Sequence, residues 1–212
     1  MGRSRPWIIG KSSGPRTSRK IMEAFLVSGG IVALAEIGDK TQLLTFLLAA
    51  KFRKPVPIVL AIFVATIANH AFAAAIGSWI TKLMGPDMLR WVLGVSFLLM
   101  AAWTLVPDKI DEDDTKLAKY GVFLTTLIAF FMAEMGDKTQ IATIALAARF
   151  DNVYAVVAGT TFGIMLANVP AVYLGERIAN RVPLRLVHGI AAAVFAVLGL
   201  ATLLGAGARL GF

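Results

Sequence analysis

Ala35-Glu-Ile-Gly-Asp-Lys-Thr-Gln42 returns later in the chain as Ala133-Glu-Met-Gly-Asp-Lys-Thr-Gln140, identical at seven of eight positions. The likeness runs outward from the motif. Thr45 answers Thr143, and Leu48-Ala-Ala-Lys-Phe52 answers Leu146-Ala-Ala-Arg-Phe150. Further on, Ala68-Asn69 answers Ala167-Asn168, and Leu89-Arg90-x-Val92-x-Gly94 answers Leu184-Arg185-x-Val187-x-Gly189. The two halves are copies of one unit. Each motif lies within a long apolar stretch, and about twenty apolar residues are enough for a helix to cross a bilayer. Reading for such stretches predicts six spans: Ile21–Ala50, Val56–Ile80, Leu89–Val106, Tyr120–Ala148, Val153–Gly175 and Leu184–Leu204. Each half contributes three. An odd number turns the second half over, so the expectation is an all-α integral membrane protein built from two inverted three-helix repeats. The repeats cover residues 21–106 and 120–206. A basic tail over 1–20, read as disordered, precedes them; an acidic linker over 107–119 joins them, and a short tail over 207–212 follows.

Composition agrees with lipid as the solvent. Of 212 residues, 58% are hydrophobic and 16% charged, whereas soluble domains carry about 25% charged residues. The net charge of +8 does not point to nucleic acid. Arg3, Arg5, Lys11, Arg16, Arg19 and Lys20 crowd the tail, and a basic flank beside a span is a topology signal or a contact to anionic lipid. Lys and Arg divide almost evenly between the two sets of loops and set no orientation. With no cysteine, disulfides, thiolate metal sites and thiol catalysis are excluded.

The chemistry sits inside the predicted spans. Glu36 falls about 22 Å along a helix begun at Ile21, deep in the membrane, and Glu134 matches it. On a continuous helix Glu36, Asp39 and Lys40 share one face, with Gly38, Thr41 and Thr45 roughly opposite, where small residues admit a neighbouring helix. Gly38 and Gly136 also offer points of local unwinding. Six intramembrane charges imply roughly 15–21 kcal/mol of insertion cost before pairing. Pairing Lys40 and Lys138 leaves two of the four carboxylates without a counter-charge, which a purely structural network would not require. Glu36, Asp39, Glu134 and Asp137, with Thr41, Gln42, Thr139, Gln140, Asn69 and Asn168 nearby, form an oxygen-rich set suited to hard divalent cations such as Mn²⁺ and Ca²⁺. His70, beside Asn69, reads as a packed or water-facing histidine, and His188 has no partner motif. There is no phosphate-binding glycine loop, and the linker lacks the EF-hand spacing.

Two Glu-x-Gly-Asp-Lys-Thr motifs on the first and fourth of six spans, joined by an acidic linker, resemble the Golgi-type Ca²⁺/Mn²⁺–proton antiporter family. The likeness covers essentially residues 21–206. It implies exchange of Mn²⁺ or Ca²⁺ for protons, with Glu36, Asp39, Glu134 and Asp137 as the cation site and no resident cofactor. The small size and short linker look like bacterial members, for which manganese export is the usual role; this implies a multi-pass protein of the bacterial inner membrane. The partners expected are divalent metal ions, protons and the lipid bilayer, without nucleic acid, and homo-oligomer formation stays open. Competing readings are an exporter of organic cations or amino acids, a passive cation channel, and an intramembrane aspartyl protease. The protease needs two aspartates in a shared dyad, whereas here each aspartate brings a glutamate and a lysine.

Overall fold

The computed structural model describes residues 15–106, 121–174 and 184–205. The acidic linker 107–119, the C-terminal tail 207–212 and residues 1–14 of the basic tail lie outside the described residues. Among the described residues eight helices follow in order: α1 (Pro15–Glu36), α2 (Lys40–Phe52), α3 (Pro55–Leu83), α4 (Pro86–Thr104), α5 (Val122–Glu134), α6 (Lys138–Arg149), α7 (Val153–Leu174) and α8 (Leu184–Leu203). The first helix begins at Pro15, inside the expected tail. All regular structure among the described residues is helical, as the apolar runs require.

The helix ends are written in the sequence. Pro55 and Pro86 occupy the first turns of α3 and α4, where a missing N–H costs nothing and φ is already helical. Gly85 caps α4 from an extended conformation. α3, α4, α7 and α8 are each long and apolar enough to cross a membrane. The bent pair α1–α2 counts as a fifth span if taken as one, while α5 is a shorter apolar helix. The chain is thus a membrane protein, with four or five candidate spans by length and composition among the described residues. The expected continuous stretches 21–50 and 120–148 are each divided at their motif.

Packing places the motifs at the centre. α1 lies along α7, α3 is flanked by α5 and α6, and α4 pairs with α8. α1 and α7 approach so closely that a Cβ at Gly29 would stand 2.9 Å from the Gly159 carbonyl oxygen, so the glycines set that distance. The ends can be sorted by what they touch. Lys20 and Glu23 at the start of α1 share a small pocket with Asp151 and Asn152, just before α7. Trp79 and Lys82, near the end of α3, line a groove with Val153 and Tyr154 at the start of α7. α3 and α5 run side by side, with Val64, Ala65 and Ala68 against Leu127, Ile128 and Phe131. Farther along, Asn69 meets the Phe131 carbonyl and His70 meets Glu134, so α5 runs in the same direction as α3 and starts at the end of the molecule opposite the start of α1. Many apolar side chains on the outer faces are exposed, among them Leu60, Trp79, Trp91, Leu99 and Val197, which suits a lipid surround.

Candidate functional site: two helix breaks that meet

α1 ends at Glu36 and α2 starts at Lys40, with the two axes bent by 69°. α5 ends at Glu134 and α6 starts at Lys138. The cause is local. Gly38 and Gly136 take φ of 84° and 76°, a left-handed conformation that glycine adopts without the Cβ clash and that stops a helix. Asp39 and Asp137 then open the next helix as N-caps with nearly identical backbones, φ −78° and ψ 168° or 167°. Neither carboxylate makes a capping hydrogen bond. Both stay available for the interior.

The rest of each motif secures the break. The Gly38 N–H donates to Gln42 Oε1 at 2.8 Å, and Gly136 N–H to Gln140 Oε1 at 2.6 Å. The Thr41 hydroxyl donates to Glu36 Oε1 at 2.5 Å, and Thr139 makes the same bond to Glu134. Gln42 Nε2 reaches the Ala167 carbonyl at 3.0 Å, and Thr45 donates to Asn168 Oδ1 at 2.7 Å. Gln140 Nε2 donates to Asn69 Oδ1 at 2.9 Å, and Asn69 in turn donates to the Phe131 carbonyl. Thr41 and Thr45, assigned from sequence to a packing face opposite the charges, belong to this polar network instead. With a bend between residues 36 and 40, angles counted on one continuous helix no longer hold.

The two breaks face each other. Oxygens of Glu36, Glu134 and Asp137 lie within 4.8 Å of one another, and all three residues are buried. The lysines cross between halves. Lys138 Nζ sits 3.0 Å from Asp39 Oδ1 in the interior, while Lys40 Nζ is 3.7 Å from Asp137 Oδ1 with its side chain 31% exposed. The N-termini of α2 and α6 also point at the cluster, and a helix N-terminus favours negative charge. Even so, Glu36 Oε2 and Glu134 Oε2 are buried without a hydrogen-bond partner among the described residues. Buried carboxylate oxygens without donors are costly. A hard cation would complete them, and the donor set, oxygen throughout, fits one.

The halves are not equivalent in detail. Asn168 Nδ2 donates to Glu36 Oε1 at 2.7 Å. At Glu134 that position belongs to His70, whose Nε2 lies 3.2 Å from Oε1. His188 Nε2 donates to the Ile37 carbonyl at 2.9 Å, filling an acceptor freed by the break. Both histidines are thus tied to the site, and sequence reasoning missed them. The one signal for His70 was its position beside Asn69; His188 gave none. The structure brings Lys40, Thr41, Gln42, Asn69, Lys138, Thr139, Gln140 and Asn168 together around the two breaks.

Comparison with known proteins points one way. The family described as "Divalent cation/proton antiporter GDT1" matches residues 24–112 and 122–209. A Vibrio cholerae protein named "Putative manganese exporter" is 49% identical over 197 residues, covering 92% of this chain and 98% of its own. "GDT1-like protein 3" of Oryza sativa subsp. indica is 29% identical, over 82% of this chain and 71% of its own. Its Arabidopsis thaliana namesake is 27% identical, over 84% and 70%. No solved structure matches the chain.

Proposed function

We infer that this chain, which belongs to the divalent cation/proton antiporter family GDT1, exchanges Mn²⁺, with Ca²⁺ second, for protons across a bacterial inner membrane. The observation that carries this reading is the buried group Glu36, Glu134 and Asp137, with oxygens within 4.8 Å of one another. Asp39, the counterpart of Asp137 in the first motif, is added to the set by that equivalence and is held 3.0 Å from Lys138 Nζ. The choice of Mn²⁺ leans on the name of the Vibrio cholerae relative. It also agrees with a site of carboxylates and amides, which suits hard cations. Glu36, Asp39, Glu134 and Asp137 are proposed as ligands. Lys40 and Lys138 would balance the aspartates, Thr41, Thr139, Asn168 and His70 would orient the glutamates, and Gln42, Gln140 and Asn69 would fix the breaks.

In this reading α1–α2 and α5–α6 each form one interrupted span. With α3, α4, α7 and α8 they make six spans, as two inverted repeats over 21–106 and 120–206. The opposed starts of α1 and α5 support it. Four carboxylates and two ammonium groups give the site a formal charge of −2, which one divalent cation or two protons neutralise. Net charge is expensive to carry through low-dielectric protein. A site that accepts either cargo, and changes its open face only when neutral, performs exchange of about two protons per metal. The test is Mn²⁺ flux into vesicles under a pH gradient. Glu36→Gln, Asp39→Asn, Glu134→Gln and Asp137→Asn should each lower it by at least about tenfold, roughly 1.4 kcal/mol on the barrier, with the protein still inserted. Undiminished flux in any two of the four would refute the site.

A further inference from the structure

Hydroxyls within these helices are commonly satisfied by a carbonyl four residues earlier: Ser96 by Val92, Thr104 by Met100, Thr143 by Thr139 and Thr202 by Leu198. Four buried hydroxyl oxygens, those of Ser28, Thr66, Thr126 and Thr161, have no hydrogen-bond partner among the described residues. Buried hydroxyls are normally bonded to protein or to ordered water. These four are not scattered.

Ser28 lies on α1 two turns before Glu36, and Thr126 lies on α5 two turns before Glu134. They are equivalent positions in the duplicated sequence. Both fall on the apolar-helix face that carries the glutamate, about 12 Å along the axis from it. Between hydroxyl and carboxylate stands one fully buried apolar residue on each helix, Val32 on α1 and Phe130 on α5. Because α1 and α5 start at opposite ends of the molecule, Ser28 and Thr126 lie on opposite sides of the carboxylates. The other two divide the same way: Thr161 precedes Asn168 on α7, towards the end of Ser28, and Thr66 precedes Asn69 on α3, towards the end of Thr126.

We propose that Ser28 and Thr126 are transit sites on two access paths, one from each membrane face, separated from the carboxylates by the apolar plugs Val32 and Phe130. A divalent cation leaving bulk water must exchange water for protein oxygen in steps. At these points a neutral hydroxyl stands in for one water of its shell without adding a buried charge. The inference rests on the antiport reading given above.

The chain has no cysteine, so Ser28→Cys and Thr126→Cys can be made without background and with little change of volume. A thiol reacts with a small, charged, membrane-impermeant methanethiosulfonate only where water reaches it. In sealed vesicles of known orientation, S28C should be modified only from the face that bears Asp151, and T126C only from the face that bears Lys54. Each should react at least about tenfold faster than T104C, a buried control whose parent hydroxyl is satisfied, and each modification should block Mn²⁺ flux. Reaction no faster than the control, or both from one face, would overturn the paths. Val32→Ala and Phe130→Ala should each give metal leak that needs no proton gradient; absence of leak in both removes the plugs. The unmodified protein in the same vesicles separates the failures. Mn²⁺–proton exchange with inert cysteines defeats the paths and leaves the antiporter, whereas reactive cysteines without exchange defeat the antiporter alone.

Discussion

Lys40 and Lys138 occupy the same place in the two motifs, but their surroundings predict very different consequences of removing them. Lys138 is buried and 3.0 Å from Asp39 Oδ1, whereas Lys40 is 31% exposed and 3.7 Å from Asp137 Oδ1. Deleting one partner of a buried pair strands the other charge, which costs about 3–5 kcal/mol. A partly exposed pair contributes about 0–1 kcal/mol. Lys138→Met should therefore destabilise the protein by about 3–5 kcal/mol and Lys40→Met by less than about 1 kcal/mol. For a chain of this size, 1 kcal/mol moves the unfolding midpoint by roughly 2–4 °C, which makes the first a drop of roughly 6–20 °C and the second hardly visible. The assay is thermal unfolding of detergent-solubilised protein, read by loss of the monodisperse chromatographic peak. A second arm checks the cause. Adding Asp39→Asn to Lys138→Met removes the carboxylate that has lost its ammonium and should recover part of the loss. Equal effects of the two lysine variants, or no recovery in the double variant, would refute the reasoning.

Other consequences are as definite. Cysteines introduced at Lys54 and Asp151 should label from opposite faces, and at Lys82 and Asp151 from the same face; labelling of Lys54 and Asp151 from one side would require a different span count. Under the proposed exchange of about two protons per divalent cation, metal flux driven by a pH gradient should stay unchanged as the membrane potential is clamped at different values; a reversal point that follows the potential would disprove that ratio. Gly136→Ala should cost about 1–2 kcal/mol, since a Cβ at φ 76° meets the left-handed penalty. No change in the unfolding midpoint of that variant would mean that the break does not depend on glycine.

Much of the candidate site could be read because a duplicated motif is long-range information written locally. Repetition of Glu-x-Gly-Asp-Lys-Thr-Gln implied two equivalent segments, and the charge imbalance implied that they serve one site. The helical-face argument failed for a reason also present in the letters. Gly-Asp at the centre of an apolar run is a left-handed stop followed by an N-cap, so Asp39 begins a helix and does not share a face with Glu36. What one segment cannot disclose is its partner on another. The bond from His70 to Glu134, the bond from His188 to Ile37, and the crossing of the lysines all join distant elements. The difference in burial between Lys40 and Lys138 has no counterpart in the motif either, since both copies read Gly-Asp-Lys-Thr-Gln.

The bonds from Gln42 to the Gly38 N–H and from Gln140 to the Gly136 N–H bear on how such a molecule can move. A glycine break is ordinarily a flexible joint. Here each joint is buckled shut by a side chain from the first turn of the helix it introduces. Each glutamine uses its other end to grip the opposite half of the chain, Gln42 at Ala167 and Gln140 at Asn69. Straightening either elbow would break both bonds at once. The angle within α1–α2 or α5–α6 is therefore a poor place for motion. Each interrupted pair is thereby braced as a stiff bracket, so that in the proposed exchange a change of open face would fall to the seams between elements, α1–α7 and α3–α5 among them.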